Sequence, residues 1–100
     1  MNRKQIAMEY SKIIYSQGIE KIILYGSVAR EEDNENSDID ILIVAKNKYD
    51  VEEKIYDTAY DYYMHDEENI SVILLSNDDL EYNKNTNFIN NVEKEGISLI

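Results

Sequence analysis

The chain has 100 residues, of which 43% are hydrophobic, and its 21 acidic and 10 basic side chains give a formal net charge of −11. This length predicts a single domain over residues 1–100 with one core, and the acidic charge argues against broad nucleic-acid binding. With one histidine and no cysteine, disulfides and thiolate zinc sites are excluded, and any metal must be bound by oxygen ligands.

The first half of the chain predicts one helix and two strands. Apolar residues recur at helical spacing over residues 3–17, and Gly18 follows where a left-handed helix end is expected. The isoleucine-rich run 19–25 predicts a buried strand that stops at a Gly-Ser pair. Residues 28–37 are polar and acidic and predict a solvated connection with one helical turn at its start. A second strand follows over residues 38–45.

The second half of the chain predicts further helices around a small sheet. Asp50 and Glu53 match a helix N-terminal capping pattern. The later elements, in chain order, are a helix from this cap to Asp66, a strand over 70–75, a short helix or turn capped at 76–79, a helix closing at Gly96, and a short strand within 97–100. The expected fold class is α/β (α+β), a small mixed sheet covered by helices.

Four tyrosines crowd the long central helix, at Tyr56, Tyr60, Tyr62 and Tyr63. They cannot all lie on one helix face, so we expect most of them to pack and one or two to be exposed. For an exposed tyrosine, a partner interface is a better functional interpretation than base stacking. His65 is expected to be a surface residue and not a general base.

No apolar run reaches the roughly 18 to 20 residues that cross a bilayer. The first residues lead into an amphipathic pattern instead of a signal peptide. We therefore expect a cytoplasmic protein that does not associate with a membrane.

Two acidic residues alternate with isoleucines at the start of the second strand. Asp38 and Asp40 should project to one side with their Cα atoms about 6.6 Å apart, while Ile39 and Ile41 point to the core. Two neighbouring carboxylates repel each other, and a divalent cation between them removes this conflict. Hard oxygen ligands of this kind suit magnesium.

The Gly26-Ser27 pair ends the first strand. A glycine there lets the backbone approach a ligand closely, and successive N–H groups with a serine hydroxyl are suitable donors to a phosphate. If this turn and Asp38 serve one ligand, the first two strands must be antiparallel.

The two segments together read Gly26-Ser27-Val28-Ala29-Arg30 and Ser37-Asp38-Ile39-Asp40-Ile41-Leu42-Ile43. In letters and in spacing they resemble the minimal nucleotidyltransferase (MNT) branch of the DNA polymerase β-like superfamily. The resemblance covers about residues 6–44, and residues 88–100 look like the end of small proteins of this branch. It implies a polymerase β-like nucleotidyltransferase fold.

The same resemblance implies an ATP-binding transferase that moves a nucleoside monophosphate to an acceptor and releases pyrophosphate. Gly26, Ser27 and Arg30 would bind the triphosphate, although a surface salt bridge of Arg30 with Glu32 or Asp33 is an equal alternative. Asp38 and Asp40 would be the catalytic carboxylates and would bind one or two Mg²⁺ ions.

The sequence departs from the family pattern at two positions. Active members commonly carry a third carboxylate on a later strand, and Ser71 occupies the position that we assign to it. Glu68 or Asp66 could compensate only if the strand register differed by several positions. Glu31 stands where a glycine often follows the arginine, which adds an anion near the phosphates.

The leading hypothesis is an antitoxin of a toxin–antitoxin pair that transfers AMP from ATP to a tyrosine of a HEPN-type toxin. The short chain carries the motifs but no evident acceptor domain, so we expect the acceptor to be on another molecule. The alternative is a catalytically impaired nucleotide-binding or partner-binding module that neutralises its partner without chemistry. Modification of a small molecule such as an aminoglycoside is a third reading, which would need additional substrate-binding elements. The sequence leaves a homodimer open.

Overall fold

A computed structural model describes residues 1–100 of the chain. The protein has a layered α/β fold. The helices are α1 (Arg3–Ile14), α2 (Gly26–Ala29), α3 (Lys48–Asp66), α4 (Asn77–Asn83) and α5 (Asn87–Glu95). The strands are β1 (Ile19–Tyr25), β2 (Ile39–Ala45), β3 (Ile70–Ser76) and β4 (Ile97–Ser98). None of the helices combines the length and apolarity that crossing a membrane would require.

The four strands form one mixed sheet in the order β3-β2-β1-β4. β1 pairs with β2 and with β4 in antiparallel fashion, whereas β2 and β3 are parallel. The prediction of a small mixed sheet whose first two strands are antiparallel is therefore confirmed. In this register Asp40 lies opposite Tyr25 on β1 and opposite Ser71 on β3.

Strand β2 is covered on both faces, which explains why its apolar residues run on without alternation. Ile39, Ile41 and Ile43 belong to a core cluster that includes residues of α1 and α3. On the other face Leu42 packs with Ile89 and Val92 of α5. Side chains at the same parallel register share a face, so Asp40 and Ser71 both lie on the α5 side of the sheet.

Two predicted helix ends are wrong. Helix α1 ends at Ile14 and Tyr15 is already extended, with φ −59° and ψ 137°. Gly18 therefore does not end a helix, and its φ is not positive. Helix α3 begins at Lys48, because Asn47 accepts the Tyr49 backbone N–H at 3.1 Å and caps the helix three residues before Asp50.

The other predicted strands and helices agree with the structure to within a residue or two at the ends that were predicted. β3 ends at Ser76, and Ser76 and Asp79 form a reciprocal capping box at the start of α4. Helix α5 ends at Glu95 with Gly96 as its cap. The predicted strand at the chain end is the two-residue β4, and the helical turn after β1 is α2.

The expectation that most of the four α3 tyrosines pack is wrong. Only Tyr62 is buried; its hydroxyl donates to Glu9 and its ring meets Tyr10 edge to face, with centroids 6.2 Å apart. Burial is the largest cause of the raised pKa of both phenols. Tyr56, Tyr60 and Tyr63 are all exposed. His65 is exposed, as predicted.

Candidate nucleotide-binding site

The turn at the end of β1 brings the backbone against a carboxylate of β2. Gly26 has a φ of 76°, which is costly for residues with a Cβ atom. A Cβ atom at Gly26 would overlap Asp40 Oδ2 and lie 3.2 Å from its Cγ. The antiparallel pairing of Tyr25 with Asp40 produces this approach. The two sequence segments that carry the predicted site therefore meet at Gly26 and Asp40.

Asp40 is a half-buried carboxylate on the α5 side of β2. Burial raises its pKa, and the neighbouring Asp38 raises it further, while Arg30 opposes the shift. Asp38, Asp40 and Arg30 are thus close enough to interact electrostatically. A cation at this place would offset the repulsion between the two carboxylates.

Asp38 precedes β2, which begins at Ile39 and not at Asp38 as predicted. Its side chain is exposed, and its Oδ1 accepts a hydrogen bond of 3.0 Å from the Asn69 amide. The Asn69 carbonyl also accepts the Ile39 backbone N–H at 2.9 Å. Asn69 therefore anchors both the side chain of Asp38 and the start of β2, a role that sequence reasoning missed.

The two other predicted phosphate-binding residues lie on α2 and at its end. Ser27 is half-buried in the first turn, and Arg30 is the C-terminal cap. Arg30 forms ion pairs of 3.4 Å with Glu32 and with Glu95, and its side chain is 42% exposed. The salt bridge with Glu32 is thus present, whereas Asp33 pairs elsewhere. Long exposed pairs contribute little free energy, so Arg30 could exchange them for a phosphate.

The backbone at Glu31 has a conformation that suits glycine, the residue that often stands here in the family pattern. Its φ is 60°, a left-handed conformation that favours glycine. Its carboxylate pairs with Lys4 of α1 at 2.8 Å, and this contact is the main cause of its lowered pKa. The added anion is therefore engaged by α1 instead of standing free beside the Gly26-Ser27 turn.

The third carboxylate of the family pattern is absent from its expected position. Ser71 lies opposite Asp40 in the parallel pairing of β2 with β3. Glu68 cannot substitute in this register, because it binds Arg3 Nε at 2.8 Å. Asp66 ends α3 and is exposed. The structure contains no group of three or more Asp, Glu, His or Cys side chains able to hold a metal.

Arg3 braces the acidic loop in front of Asp38, which sequence reasoning did not anticipate. Besides Glu68, it contacts Asp33 Oδ2 at 3.1 Å and donates to the backbone carbonyls of Asn34 and Glu35. These partners are 30 to 65 residues away in sequence, so no local pattern indicated them. Arg3 thus ties α1 to the loop 33–35 before Asp38 and to Glu68, which lies next to Asn69, the partner of Asp38.

An aromatic pair borders the carboxylates. Tyr25 meets Phe88 of α5 edge to face, with ring centroids 5.5 Å apart and planes at 83°. Burial and the proximity of Asp40 raise the pKa of Tyr25. The pairing register of Tyr25 with Asp40 was the signal that could have placed this tyrosine at the site.

The oxygen donors gathered here fit magnesium bound together with a triphosphate. Asp38 and Asp40 are hard oxygen ligands, and Ser71 adds a neutral hydroxyl at the same end of the sheet. Mg²⁺ commonly uses one or two protein carboxylates and completes its shell with water and phosphate oxygens. Two carboxylates beside a glycine turn match this mode better than a cage made only of protein ligands.

Comparison with protein families identifies the class. The family described as polymerase beta, nucleotidyltransferase matches residues 5–100. The chain therefore belongs to the polymerase β nucleotidyltransferase family. A comparison with curated proteins gave no significant match.

Similar solved structures share the fold at low sequence identity. Two come from crystal structures of a toxin–antitoxin with AMP-PNP and of a mutant of the toxin–antitoxin MntA-HpeT. Their TM-scores are 0.57 and 0.59, each with 18% identity over 100% of this chain and 73% of the other. A protein from Sulfolobus solfataricus assigned as a nucleotidyltransferase has a TM-score of 0.52 and 23% identity over 94% of this chain and 76% of its own.

Proposed function

We propose that the protein is a magnesium-dependent nucleotidyltransferase that transfers AMP from ATP to an acceptor hydroxyl. The acceptor that we propose is a tyrosine of a HEPN-type toxin, which makes this chain the antitoxin of the pair and places its action in the cytoplasm. The observation that carries the proposal is the contact between Gly26 and Asp40. It joins a phosphate-binding turn to a pair of carboxylates within a nucleotidyltransferase fold.

Each residue of the site has a role in this reaction. The backbone at Gly26 and the hydroxyl of Ser27 would donate to the triphosphate, and Arg30 would leave its exposed ion pairs to contact a phosphate. Asp38 and Asp40 would hold Mg²⁺. When bound, Mg²⁺ neutralises the triphosphate and stabilises the charge that develops as pyrophosphate leaves. Positioning and charge neutralisation of this kind supply most of the catalysis in phosphoryl transfer.

The acceptor must lose its hydroxyl proton as the new phosphate ester bond forms. Ser71 is a poor base, because its hydroxyl is neutral at ordinary pH. The site supplies no third carboxylate for this proton. We therefore expect slower turnover than in a family member with a complete set of three carboxylates.

The antitoxin role is supported by similarity and by charge. Both toxin–antitoxin structures share the fold of this chain, and one was determined with AMP-PNP. The net charge of −11 suits a basic protein partner better than a nucleic acid.

The direct test is transfer of label to a partner. The chain is incubated with Mg²⁺, with ATP labelled at the α-phosphate, and with the product of the adjacent gene. We expect label on a tyrosine of that product with the wild type and none with Asp38→Asn/Asp40→Asn. Absence of label with the wild type, under conditions in which another MNT protein labels its own partner, would contradict the proposed transfer.

Ser71 favours a second candidate function, in which the chain binds its partner and neutralises it without chemistry. The same double variant separates the two functions in cells that express the partner. If Asp38→Asn/Asp40→Asn still protects those cells, occupation of the partner is sufficient. If protection is lost while the variant still binds the partner, the chemistry is required.

A further inference from the structure

Helix α3 carries a row of exposed tyrosines along its whole length. Tyr49, Tyr56, Tyr60 and Tyr63 are 74%, 47%, 61% and 56% exposed. Their spacings of seven, four and three residues place them on one helix face. The row, called the tyrosine face below, extends over about 21 Å.

The tyrosine face is separate from the face by which α3 joins the core. Ile55 and Tyr62 are the buried residues of this helix and belong to the core cluster under the sheet. They lie about 100 to 120° around the helix from Tyr56. The four tyrosines are therefore not needed to attach α3. Aromatic residues in a contiguous exposed patch are typical of protein interfaces, where tyrosine is enriched.

The charges around the tyrosine face define the partner that it suits. Glu52, Glu53 and Asp57 flank the row on α3. Of the two lysines of the helix, Lys48 is paired with Asp79 at 3.0 Å. The other, Lys54, lies about 160° around the helix from Tyr56. The face thus presents aromatic rings and carboxylates without a free cation.

We propose that the tyrosine face is the docking surface for a protein partner that presents arginine and lysine side chains around an apolar centre. Arginine both pairs with carboxylates and stacks on tyrosine rings. A second copy of the chain fits poorly, because its net charge of −11 would bring like charges together. A nucleic acid is repelled for the same reason.

The position of α3 links docking to the site, and this step rests on the proposed function. Helix α3 ends at Asp66, and Asn69, three residues further, binds Asp38. A partner that lies along the tyrosine face and continues past Asp66 would therefore reach the end of the sheet at which Asp38 and Asp40 stand. Because Asp40 lies on the α5 side of the sheet and α3 on the other, the acceptor hydroxyl would have to extend around this end of the sheet to reach the metal-bound nucleotide.

The test measures the affinity of the full chain for the product of the adjacent gene by calorimetry. We expect Tyr60→Ala/Tyr63→Ala to weaken binding at least tenfold while leaving the melting temperature nearly unchanged, because both side chains are exposed. Tyr82→Ala is the matched control, since Tyr82 is 89% exposed on α4; its affinity should equal that of the wild type.

Charge reversal provides a second arm. Glu53→Lys/Asp57→Lys should lower the association rate and flatten its dependence on salt. Glu93→Lys, an exposed change on α5, should have a much smaller effect. The variant Asp38→Asn/Asp40→Asn should bind the partner with wild-type affinity, so a failure of catalysis and a failure of docking give different results.

Three outcomes would overturn the proposed surface. The first is wild-type affinity in both the tyrosine and the charge-reversal variants. The second is a wild-type homodimer in sedimentation that Tyr60→Ala/Tyr63→Ala dissociates, because a second copy would then cover the face. The third is no binding between the wild type and the product of the adjacent gene.

Discussion

The carboxylate of Asp40 lies so close to the α-carbon of Gly26 that no side chain fits between them. The antiparallel register of β1 and β2 enforces this contact, because Tyr25 and Asp40 are paired immediately before the turn. The positive φ of Gly26 adds a second reason for glycine at this position.

Replacement of this glycine should affect both stability and ligand binding. Gly26→Ala places a Cβ atom in a left-handed conformation and pushes the Asp40 carboxylate aside. We expect a loss of about 1–3 kcal/mol in the free energy of unfolding, measured with urea, together with a weaker response to ATP and Mg²⁺.

Gly18 supplies a matched control for this substitution. Its φ is not positive, and an added Cβ atom would meet Val51 at 3.8 Å, an ordinary contact. Gly18→Ala should therefore be neutral or stabilise by about 0.4–1 kcal/mol. Equal destabilisation by the two substitutions would show that the contact between Gly26 and Asp40 is unimportant.

Restoring the third carboxylate should have opposite effects without and with metal. Ser71→Asp adds an anion beside Asp40, whose pKa is already raised by burial and by Asp38. We expect a lower melting temperature in EDTA and a larger Mg²⁺-induced increase than in the wild type. A faster transfer of label should accompany it. Ser71→Asn, which adds similar volume without charge, should show neither change.

The main features of the fold and site followed from the sequence because they depend on local patterns. The isoleucine-rich run 19–25 predicted the buried strand β1, and the need for Gly26 and Asp38 to serve one ligand predicted the antiparallel pair. The parallel pairing that places Ser71 opposite Asp40 was not predicted, although the family pattern already assigned Ser71 to the position of the third carboxylate.

The supporting contacts could not be predicted in the same way. Asn69 reaches Asp38 over 31 residues of sequence, and Arg3 reaches Glu68 over 65. Such pairs are brought together only by the packing of α1 and the β2–β3 pair. The number of exposed tyrosines on α3 was likewise misjudged, because composition alone does not show which side of α3 meets the sheet.

Removal of the Arg3 brace should loosen the segment before Asp38. Arg3→Ala breaks two ion pairs and two hydrogen bonds to backbone carbonyls. We expect a loss of about 2 kcal/mol in unfolding free energy and weaker binding of Mg²⁺ and ATP. The neighbouring Lys4→Ala removes only an exposed pair with Glu31 and should cost less than about 0.5 kcal/mol. Equal losses of unfolding free energy from the two changes would argue against the brace.

The capping box of α4 predicts a specific acid sensitivity. Hydrogen bonds from the Ser76 backbone and from Lys48 lower the pKa of Asp79 from 3.8 to about 2. The unfolded chain therefore binds the proton first, and the stabilisation present above pH 3.8 is lost as the pH falls through about 2. Urea titrations between about pH 5 and about pH 2 bracket the pKa values of Asp79 in the unfolded and folded states. Over this interval Asp79→Asn should flatten the pH dependence of stability. A shared slope for wild type and Asp79→Asn would contradict this account.

The most direct test of the central claim is thermal unfolding of the wild type and of Asp38→Asn/Asp40→Asn, each with and without ATP and Mg²⁺. Ligand at about 100 times its dissociation constant should stabilise the wild type by roughly 2.7 kcal/mol. The double variant should be at least as stable as the wild type without ligand, because two repelling carboxylates are gone, and should gain nothing from ATP and Mg²⁺. No stabilisation of the wild type at millimolar ATP, or the same stabilisation in the double variant, would contradict a metal-bound triphosphate at Gly26, Asp38 and Asp40.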